Sequence, residues 1–346
     1  MSISKFNKYA DRGLSGLVNL GNTCFLNSTM AILSHTYELT SFLEKGDFTK
    51  RLNRKPDSII LVEWHKLLGE LWSQNAQVVP NNFLRTVQKV AAHKGQTLFT
   101  GFNQNDMPEF LIFIIDCFHN ALSREVIMTI EGNVKGQKDK IAIQCYERVK
   151  QMYEKDYSEM WSIFYGIQVS QLTNVSSEEV LSLTPEPFFI IDLPVPQNTN
   201  LTSLRDCFEL YVQGEVLDGD NMVTDEKTGQ KVVARKSLKF WSLPSVLVID
   251  VKRFNGFRNK NQALIDFPLT GLDLSRYVVG YNRNSYVYDL YAVCNHSGSL
   301  LGGHYTAYIK NANGKWYHFN DGSVQEVADE HQIVSTKAYC FFYRKR

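Results

Sequence analysis

Cysteine is scarce in this chain, and its spacing excludes several classes of protein. The 346 residues contain six cysteines, and no two of them form a CxxC pair. A disulfide-rich secreted scaffold needs denser cysteines, and a zinc ribbon or thioredoxin-like motif needs such a pair. We therefore expect a reduced intracellular protein, cytoplasmic or also nuclear, with free thiols and with neither a metal nor a cofactor.

A charge excess of one sign and long apolar runs are also missing. Lys and Arg number 37 and Asp and Glu number 36, so the net charge is +1. A nucleic-acid binder would carry a basic stripe, and we expect no nucleic-acid partner. The longest strongly apolar run, residues 110–115, is far shorter than the roughly 20 residues of a membrane helix, and the first residues lack the apolar segment of a signal peptide. We expect a monomer that binds no membrane. The C-terminal Arg344, Lys345 and Arg346 fit either part of a nuclear signal or a solvated chain end.

The pattern of apolar residues changes along the chain. Between about residues 14 and 125 it follows helical spacing, and it predicts helices at 26–37, 61–72, 82–92 and from Asp106 onward. Asp106 and Glu109 have the spacing of a capping box. After about residue 160, short runs rich in Val, Tyr, Phe and Thr predict strands at 164–170, 188–193, 246–254, 286–295, 304–310, 316–320 and 338–343. The polar stretch 214–231 forms either a flexible loop or the tip of a long hairpin, and we favour the hairpin. Helices followed by strands indicate an α+β fold.

Cys24 stands at the start of a predicted helix. The residues before it include Gly16, Asn19 and Gly21, which are typical of a loop. At a helix start, the positive end of the dipole and unpaired backbone N–H groups favour a thiolate, and the same N–H groups can face a developing oxyanion. This local pattern fits a nucleophile, and it fits equally a small buried cysteine that packs under a helix.

His304 follows Gly302 and Gly303 at the start of a predicted strand. Adjacent glycines allow close approach of the backbone, and a histidine there fits a general base, although such a histidine is more often a satisfied surface or core residue. The next predicted strand ends at Asn320 and Asp321, which form either an ordinary turn or a partner that accepts the Nδ1–H of His304. A cysteine at a helix start with a His–Asn/Asp pair on adjacent strands is the arrangement of papain-like cysteine hydrolases.

Five motifs in a fixed order carry a resemblance to a known family. They are 16–27 (GLVNLGNTCFLN), 104–111 (QNDMPEFL), 243–254 (LPSVLVIDVKRF), 288–308 with 315–323, and 338–343 (AYCFFY). They resemble the Cys box, the Gln-Gln-Asp-Ser-His-Glu-Phe-Leu segment, the Leu-Pro…Lys-Arg-Phe strand, the His box and the closing strand of the ubiquitin-specific proteases, a family of cysteine deubiquitinases. The resemblance spans about residues 14–343, so we expect a catalytic domain without accessory domains.

The resemblance implies a papain-like α+β fold with the architecture of a right hand. A helical thumb (about 14–125), β-ribbon fingers (about 160–185 and 205–243) and a β-rich palm (about 244–343) would follow an N-terminal extension of residues 1–13. The active site would lie between thumb and palm. The implied activity is thiol-dependent hydrolysis of isopeptide, peptide or thioester bonds at the C-terminal glycine of ubiquitin, and the implied partners are ubiquitin and ubiquitinated proteins.

The resemblance also implies roles for individual residues. Cys24 would be the nucleophile and His304 the base, with Asn320 as the third residue. Asp321 could share or take over that third role, and Asn19 matches the family's side-chain oxyanion donor. Six further residues match positions that line the channel for the arginine-containing tail of ubiquitin: Gln104, Asp106, Glu109, Phe254, His296 and Tyr305.

Two departures from the family pattern affect the expectations. The finger-tip CxxC pairs of many members are absent, so we expect zinc-free fingers held by packing around Val169, Leu172, Val223 and Val232. The other departure is residues 107–108 (Met-Pro), which reshape the helix entry of the tail-binding segment. Two alternative functions stay open: a non-cleaving ubiquitin-binding module, and a hydrolase for another ubiquitin-like modifier.

Overall fold

The predicted order of helices followed by strands is confirmed in a computed structural model, which describes residues 3–254, 260–299 and 302–346. The α-helices in these ranges are α1 (Cys24–Ser34), α2 (Tyr37–Glu44), α3 (Asp57–Ser73), α4 (Asn81–His93), α5 (Met107–Leu122), α6 (Gln137–Tyr153), α7 (Glu159–Phe164) and α8 (Leu204–Gln213). Among the described residues, none of the helices combines the length and hydropathy needed to cross a membrane.

All of the strands named here for the described ranges come after α7 in the sequence. They are β1 (Gly166–Asn174), β2 (Val180–Phe188), β3 (Ile190–Pro194), β4 (Leu201–Ser203), β5 (Glu215–Leu217), β6 (Val223–Thr224), β7 (Lys231–Val232), β8 (Ala234–Ser242), β9 (Val246–Lys252), β10 (Leu264–Asp266), β11 (Leu272–Asp273), β12 (Val287–Ser299), β13 (Gly302–Lys310), β14 (Trp316–Asn320), β15 (Ser323–Glu326) and β16 (Ala338–Lys345). The predicted strand at 316–320 has the observed bounds of β14. The prediction at 246–254 extends to Phe254, past the end of β9. The other five match strands that are shifted by a few residues.

The helix predicted at 26–37 is wrong in one respect, because two helices occupy this stretch. Helix α1 ends at Ser34 and α2 begins at Tyr37. The hydroxyls of Ser34 and Thr36 donate to the carbonyls of Ala31 and Ile32, at 2.8 and 3.1 Å. Hydroxyl side chains of this kind offer the backbone an alternative to continued helix, and the chain turns at residues 35–36.

The large sheet positions the residues of the predicted site. Its strand order is β15-β14-β13-β12-β16-β9-β3, with β11 paired to β12. All of its pairings are antiparallel except that of β3 with β9. Helix α1 packs against β13 and β14, and α5 packs against α1. Helix α1, near the start of the sequence, therefore lies directly on two of the later strands.

A second sheet has the order β2-β1-β8-β5, and most of its residues fall within the ranges predicted for the fingers. Helix α6, for which the sequence analysis made no prediction, packs against β2. Its Ala142 and Cys145 form a small buried core with Ile167, Val169 and Trp241. The favoured hairpin within 214–231 is confirmed by the pairing of β6 with β7.

The tip of the fingers differs from the expected apolar packing. Val169 is buried, but Leu172, Val223 and Val232 are each partly exposed. Backbone pairing holds the tip instead, because Val175 N donates to Val233 O at 3.0 Å and β6 pairs with β7. In the ranges that the structure describes, no three His, Cys, Asp or Glu side chains lie close enough to hold a metal ion.

Removal of divalent metal should leave the fold intact. Since hydrogen bonds and packing hold the finger sheet, we expect the same melting temperature in EDTA as in buffer containing zinc, whereas a structural zinc site would make folding depend on the metal. Differential scanning calorimetry with elemental analysis measures this. Stoichiometric zinc whose removal unfolds the protein would contradict the prediction.

Arg344 on β16 forms an ion pair with Glu38 on α2. Its side chain therefore belongs neither to a solvated end nor to an exposed nuclear signal. Only 17% of its side chain is exposed, and Nε and Nη2 donate to Glu38 at 2.7 and 3.2 Å. The guanidinium also lies within 5.0 Å of the ring centroids of Phe6, Tyr37 and Tyr291. A largely buried cation with one carboxylate partner depends strongly on that partner.

Glu38→Ala should destabilise the protein by about 2 kcal/mol or more, because it leaves the Arg344 guanidinium without its carboxylate. Urea unfolding measures the free energy of unfolding. Glu326→Ala is a matched control, since Glu326 pairs with Lys315 at 3.0 Å and about half of each side chain is exposed. Exposed pairs contribute about 0–1 kcal/mol, so equal small losses in both variants would refute the assignment.

Candidate active site

Cys24 is the first residue of α1 and is only 3% exposed. The loop before it is shaped by Asn19, whose Oδ1 accepts from the backbone N–H groups of Gly21 at 2.9 Å and Thr23 at 3.2 Å. Helix α1 packs against β13, and the backbone N–H groups of Tyr305 and Phe25 lower the pKa of the Cys24 thiol. Helix α1 thus presents the sulfur to the strand that carries His304.

The electrostatics of Cys24 differ from the expectation for a helix start. Burial raises the pKa of the thiol, and the negative charge of Asp321 raises it further. The hydrogen bonds from the backbone N–H groups of Tyr305, Phe25 and Cys24 itself act in the opposite direction. Because desolvation of the thiolate is the larger effect, the helix start alone does not activate this cysteine, and a neighbouring base is needed.

His304 lies on β13 and Asn320 ends the adjacent strand β14. The register pairs Ala307 with Phe319, which brings the two residues near each other across the ladder. His304 Nε2 and Asn320 Oδ1 are 2.7 Å apart. The prediction that the partner accepts from Nδ1 is therefore wrong, since the contact is made by Nε2. This leaves Nδ1 as the ring nitrogen that does not contact Asn320.

Asp321 faces away from the histidine and towards the loop of the cysteine. Its backbone is left-handed, with φ of 48°, so the alternation of a strand is broken directly after Asn320. Its Oδ2 accepts from Asn19 Nδ2 at 3.0 Å and its Oδ1 accepts from Asn27 Nδ2 at 2.8 Å. The carboxylate of Asp321 thus orients the amide of Asn19. Asn27 in α1 was missed by the sequence analysis, and its position one turn after Cys24 was the available signal.

The turn at Asp321 and Gly322 also contacts the cysteine loop through its backbone. Leu17 N donates to Asp321 O at 2.9 Å. A Cβ placed on Gly16 would lie 2.4 Å from the backbone C and O of Gly322, so glycine is required at this approach. The start of the Cys24 loop and the turn after Asn320 are consequently held in direct contact.

A cavity of about 100 Å³ opens beside Cys24, between α5 and the large sheet. Among its lining residues are Cys24 and five of the six predicted tail residues: Gln104, Asp106, Phe254, His296 and Tyr305. Glu109 lies in the first turn of α5, outside this lining. Gln104 Oε1 accepts from Gly303 N at 2.6 Å, so it already binds the glycine pair before His304.

Asp106 caps the N-terminus of α5, where its side chain accepts from Glu109 N. Its Oδ2 also accepts from the hydroxyls of Tyr339 at 2.9 Å and Tyr305 at 3.3 Å. Burial raises the pKa of Asp106, and these three hydrogen bonds lower it. Burial and the charge of Asp106 raise the pKa of Glu109. Tyr339 was missed by the sequence analysis, although it lies in the quoted closing-strand motif.

His296 is held in the cavity wall by Lys260, which the sequence analysis also missed. Lys260 Nζ donates to His296 O at 2.5 Å. Burial and the positive charge of Lys260 lower the pKa of His296 to about 4, so the imidazole is neutral at physiological pH. A Cβ on Gly303 would lie 2.2 Å from His296 Nε2, which explains the glycine there. His296 lines the cavity as a neutral ring.

Comparison with known proteins gives one consistent family. A family model described as ubiquitin carboxyl-terminal hydrolase matches residues 15–343. The chain is 36% identical to ubiquitin carboxyl-terminal hydrolase Usp2 of Drosophila melanogaster, over 96% of this chain and 35% of that protein. It is 33% identical to human ubiquitin carboxyl-terminal hydrolase 2, over 97% of this chain and 56% of that protein. The chain thus spans between about a third and just over half of these relatives.

A solved structure shares the fold. It is the SAGA Ubp8/Sgf11/Sus1/Sgf73 DUB module bound to ubiquitin aldehyde, with a TM-score of 0.75 and 25% identity, over 98% of this chain and 70% of that one. A second structure of the SAGA DUB module, bound to monoubiquitin, gives a TM-score of 0.73 at 24% identity, over 97% of this chain and 70% of that one. The expected α+β fold class is confirmed by this likeness.

Proposed function

The chain belongs to the ubiquitin carboxyl-terminal hydrolase family, and from this membership we propose that it is a cysteine deubiquitinase. It would hydrolyse isopeptide, peptide or thioester bonds at the C-terminal glycine of ubiquitin through an acyl-enzyme on Cys24. The observation that carries the proposal is the contact of His304 with Asn320 on the strands against which the Cys24 helix packs. A buried thiol with a raised pKa needs such a base.

In the first half of the reaction, His304 Nδ1 accepts the proton of the Cys24 thiol, and the sulfur attacks the carbonyl carbon of the glycine. Asn320 holds Nε2 and thereby fixes the orientation of the ring. When the tetrahedral intermediate collapses, His304 gives the proton to the leaving lysine amine, and the thioester remains.

The oxyanion of that intermediate is stabilised by Asn19 and by the start of α1. One N–H of the Asn19 amide donates to Asp321, which aims the other at the developing charge. Water then attacks the thioester, His304 accepts a proton from it, and the sulfur leaves. Loss of one oxyanion donor typically costs about 100- to 1000-fold in rate.

Reaction with ubiquitin that carries a C-terminal electrophile tests the proposal. We expect one covalent adduct per chain, and peptide mapping should find it on Cys24. Adducts on another cysteine, or reaction only with a different ubiquitin-like modifier, would overturn the assignment. Tight binding without any adduct would favour the non-cleaving ubiquitin-binding module.

We also propose a domain organisation and a cellular location for the chain. The thumb (about 14–125), fingers (about 160–185 and 205–243) and palm (about 244–343) are proposed as units of one catalytic domain, and residues 255–259 and 300–301 of the palm lie outside the described residues. An intracellular setting is supported by the cysteines, since all six lie in the described ranges and each is a buried free thiol. A monomer that acts without cofactor, nucleic acid or membrane is proposed.

A further inference from the structure

A cavity of about 400 Å³ shares no lining residue with the cavity beside Cys24. It is lined by residues of helices α6 and α8, of strand β8 and of the segment 276–283, which lies between β11 and β12. Binding sites for small molecules commonly have volumes of about 300–1,000 Å³. The cavity is therefore large enough to hold a small ligand or a single side chain of another protein.

The charged residues that line this cavity are all cations: Lys138, Lys239, Arg276 and Arg283. Arg276 Nη1 lies 3.1 Å from Glu209 Oε1. Among the residues that the structure describes, the other three cations form no ion pair. Positive charges that gather in one cavity without counter-charges attract an anion together. The lining thus favours a negatively charged ligand.

Two acids near these cations already have hydrogen-bond partners. Glu209, the partner of Arg276, also accepts from the Tyr277 hydroxyl at 2.9 Å. Asp139 of α6 accepts from the Tyr281 hydroxyl and from two backbone N–H groups just before the helix. Neither acid lines the cavity, so the two offset part of the positive charge nearby but leave the lining itself cationic.

The cations reach the cavity from separate elements. Lys239 on β8 is the register partner of Val169 on β1, and Val169 packs in the small core that includes α6. Register partners share a face of the sheet, so Lys239 lies on the face that α6 covers, and α6 carries Lys138. Arg283 comes from the segment between β11 and β12. An extended strand of nucleic acid is bound along a groove, whereas cations that converge from three elements suit a compact anion.

Hydrogen bonds hold one wall of the cavity in place. Val279 N donates to Phe240 O at 2.8 Å, and Val278 forms a β-bridge with Phe240. Lys138 Nζ donates to Gly280 O at 3.2 Å, which ties α6 to the same segment. An ammonium group has three donors, so two remain for a ligand. Because these contacts hold the walls, binding of a ligand has to order few groups.

We propose that this cavity binds a phosphate monoester, carried either by a small organic molecule or by a phosphorylated side chain of another protein. A phosphate monoester has a charge of about −1.5 to −2 at pH 7 and three acceptor oxygens, which match three unpaired cations better than the single charge of a carboxylate does. Lys and Arg both donate to phosphate. Leu238 and three valines in the walls accommodate an apolar group beside the phosphate. None of the residues assigned to the Cys24 reaction takes part, so the site goes beyond the proposed function and does not rest on it.

Titration with phenyl phosphate, followed by the phosphorus NMR signal of the ligand, tests this site. We expect saturable binding with a Kd of about 1 mM or below. Lys239→Gln and Arg283→Gln should each raise the Kd about 10-fold, because each removes a charge-assisted hydrogen bond. Both side chains are exposed, so we expect unchanged melting temperatures, and if one variant is destabilised the other carries the test. A five-residue phosphoserine peptide is titrated in parallel, and the tighter of the two probes identifies the source of the phosphate.

Lys236→Gln is the matched control. Lys236 is also exposed on β8 but does not line the cavity, so this variant should have the Kd of the unmodified protein. Benzyl alcohol and the unphosphorylated peptide should not bind, and phenylacetate should bind more weakly than phenyl phosphate, since it offers a carboxylate instead of a phosphate. The site would be overturned by the absence of saturable binding of both phosphate probes, by an equal loss in Lys236→Gln, or by equal affinity for phenylacetate. The proposed function would stand in each case, because binding is measured without substrate.

Discussion

Cys24→Ala should abolish cleavage of ubiquitin conjugates, with a loss in kcat of at least about 10⁴-fold. The substitution removes only the sulfur atom that would react. The smaller alanine side chain fits the space of Cys24, which is buried and only 3% exposed. Binding of ubiquitin should be retained, since the channel residues are untouched. A fluorogenic ubiquitin substrate measures the rate, and isothermal titration calorimetry measures the binding.

Cys145→Ala provides the matched control. Cys145 is also a buried thiol, but it lies in the finger core, where burial raises its pKa to about 12. This variant should keep its activity. Full activity of Cys24→Ala, or an equal loss in both variants, would contradict the assignment of Cys24 as the nucleophile.

Asn320→Ala should lower kcat more than Asp321→Ala. The first substitution frees the imidazole of His304 from its contact at Nε2, and loss of such an orienting partner costs up to about 10⁴-fold. The second acts indirectly, through Asn19 and Asn27, and its cost is bounded by the roughly 100- to 1000-fold value of an oxyanion donor. Both variants are measured on one fluorogenic ubiquitin substrate.

A conservative pair of variants gives the control. Asn320→Asp should retain much of the activity, since a carboxylate oxygen can accept from the same ring nitrogen and stabilises imidazolium more than an amide does. Asp321→Asn should resemble the unmodified protein less, because an amide supplies only one oxygen for its two asparagine partners. A larger loss at Asp321→Ala than at Asn320→Ala reverses the order of the two residues.

The accuracy of the sequence predictions depended on whether a pattern was local. The predicted strand at 316–320 has the observed bounds, because a short aromatic run and a following Asn-Asp-Gly turn are both local signals. Helix α6 was not predicted, although Ile141, Cys145 and Val149 recur at a spacing of four residues. Its charged composition weakened the signal, and only packing on the finger sheet supplies its apolar partner.

Side-chain directions at the site were less accessible to sequence. The split between Asn320 and Asp321 depends on a left-handed φ at Asp321. The Asn-Asp-Gly sequence predicts a turn there, but it does not predict which side chain contacts His304. The ring nitrogen that contacts Asn320 depends on how β13 and β14 pair. These features depend on tertiary structure, so the residue types could identify candidate side chains but could not give their orientations.

The contact of Gly16 with Gly322 has a consequence for how the protein is made. The turn that contacts the Cys24 loop is synthesised some 300 residues after it, and contacts of such sequence separation form slowly. A nascent chain therefore carries Cys24 before His304 and Asn320 have been made. The thiol can approach His304 only after β13 and β14 have packed on α1, so we expect no reaction of the proposed kind from a nascent chain that lacks these strands.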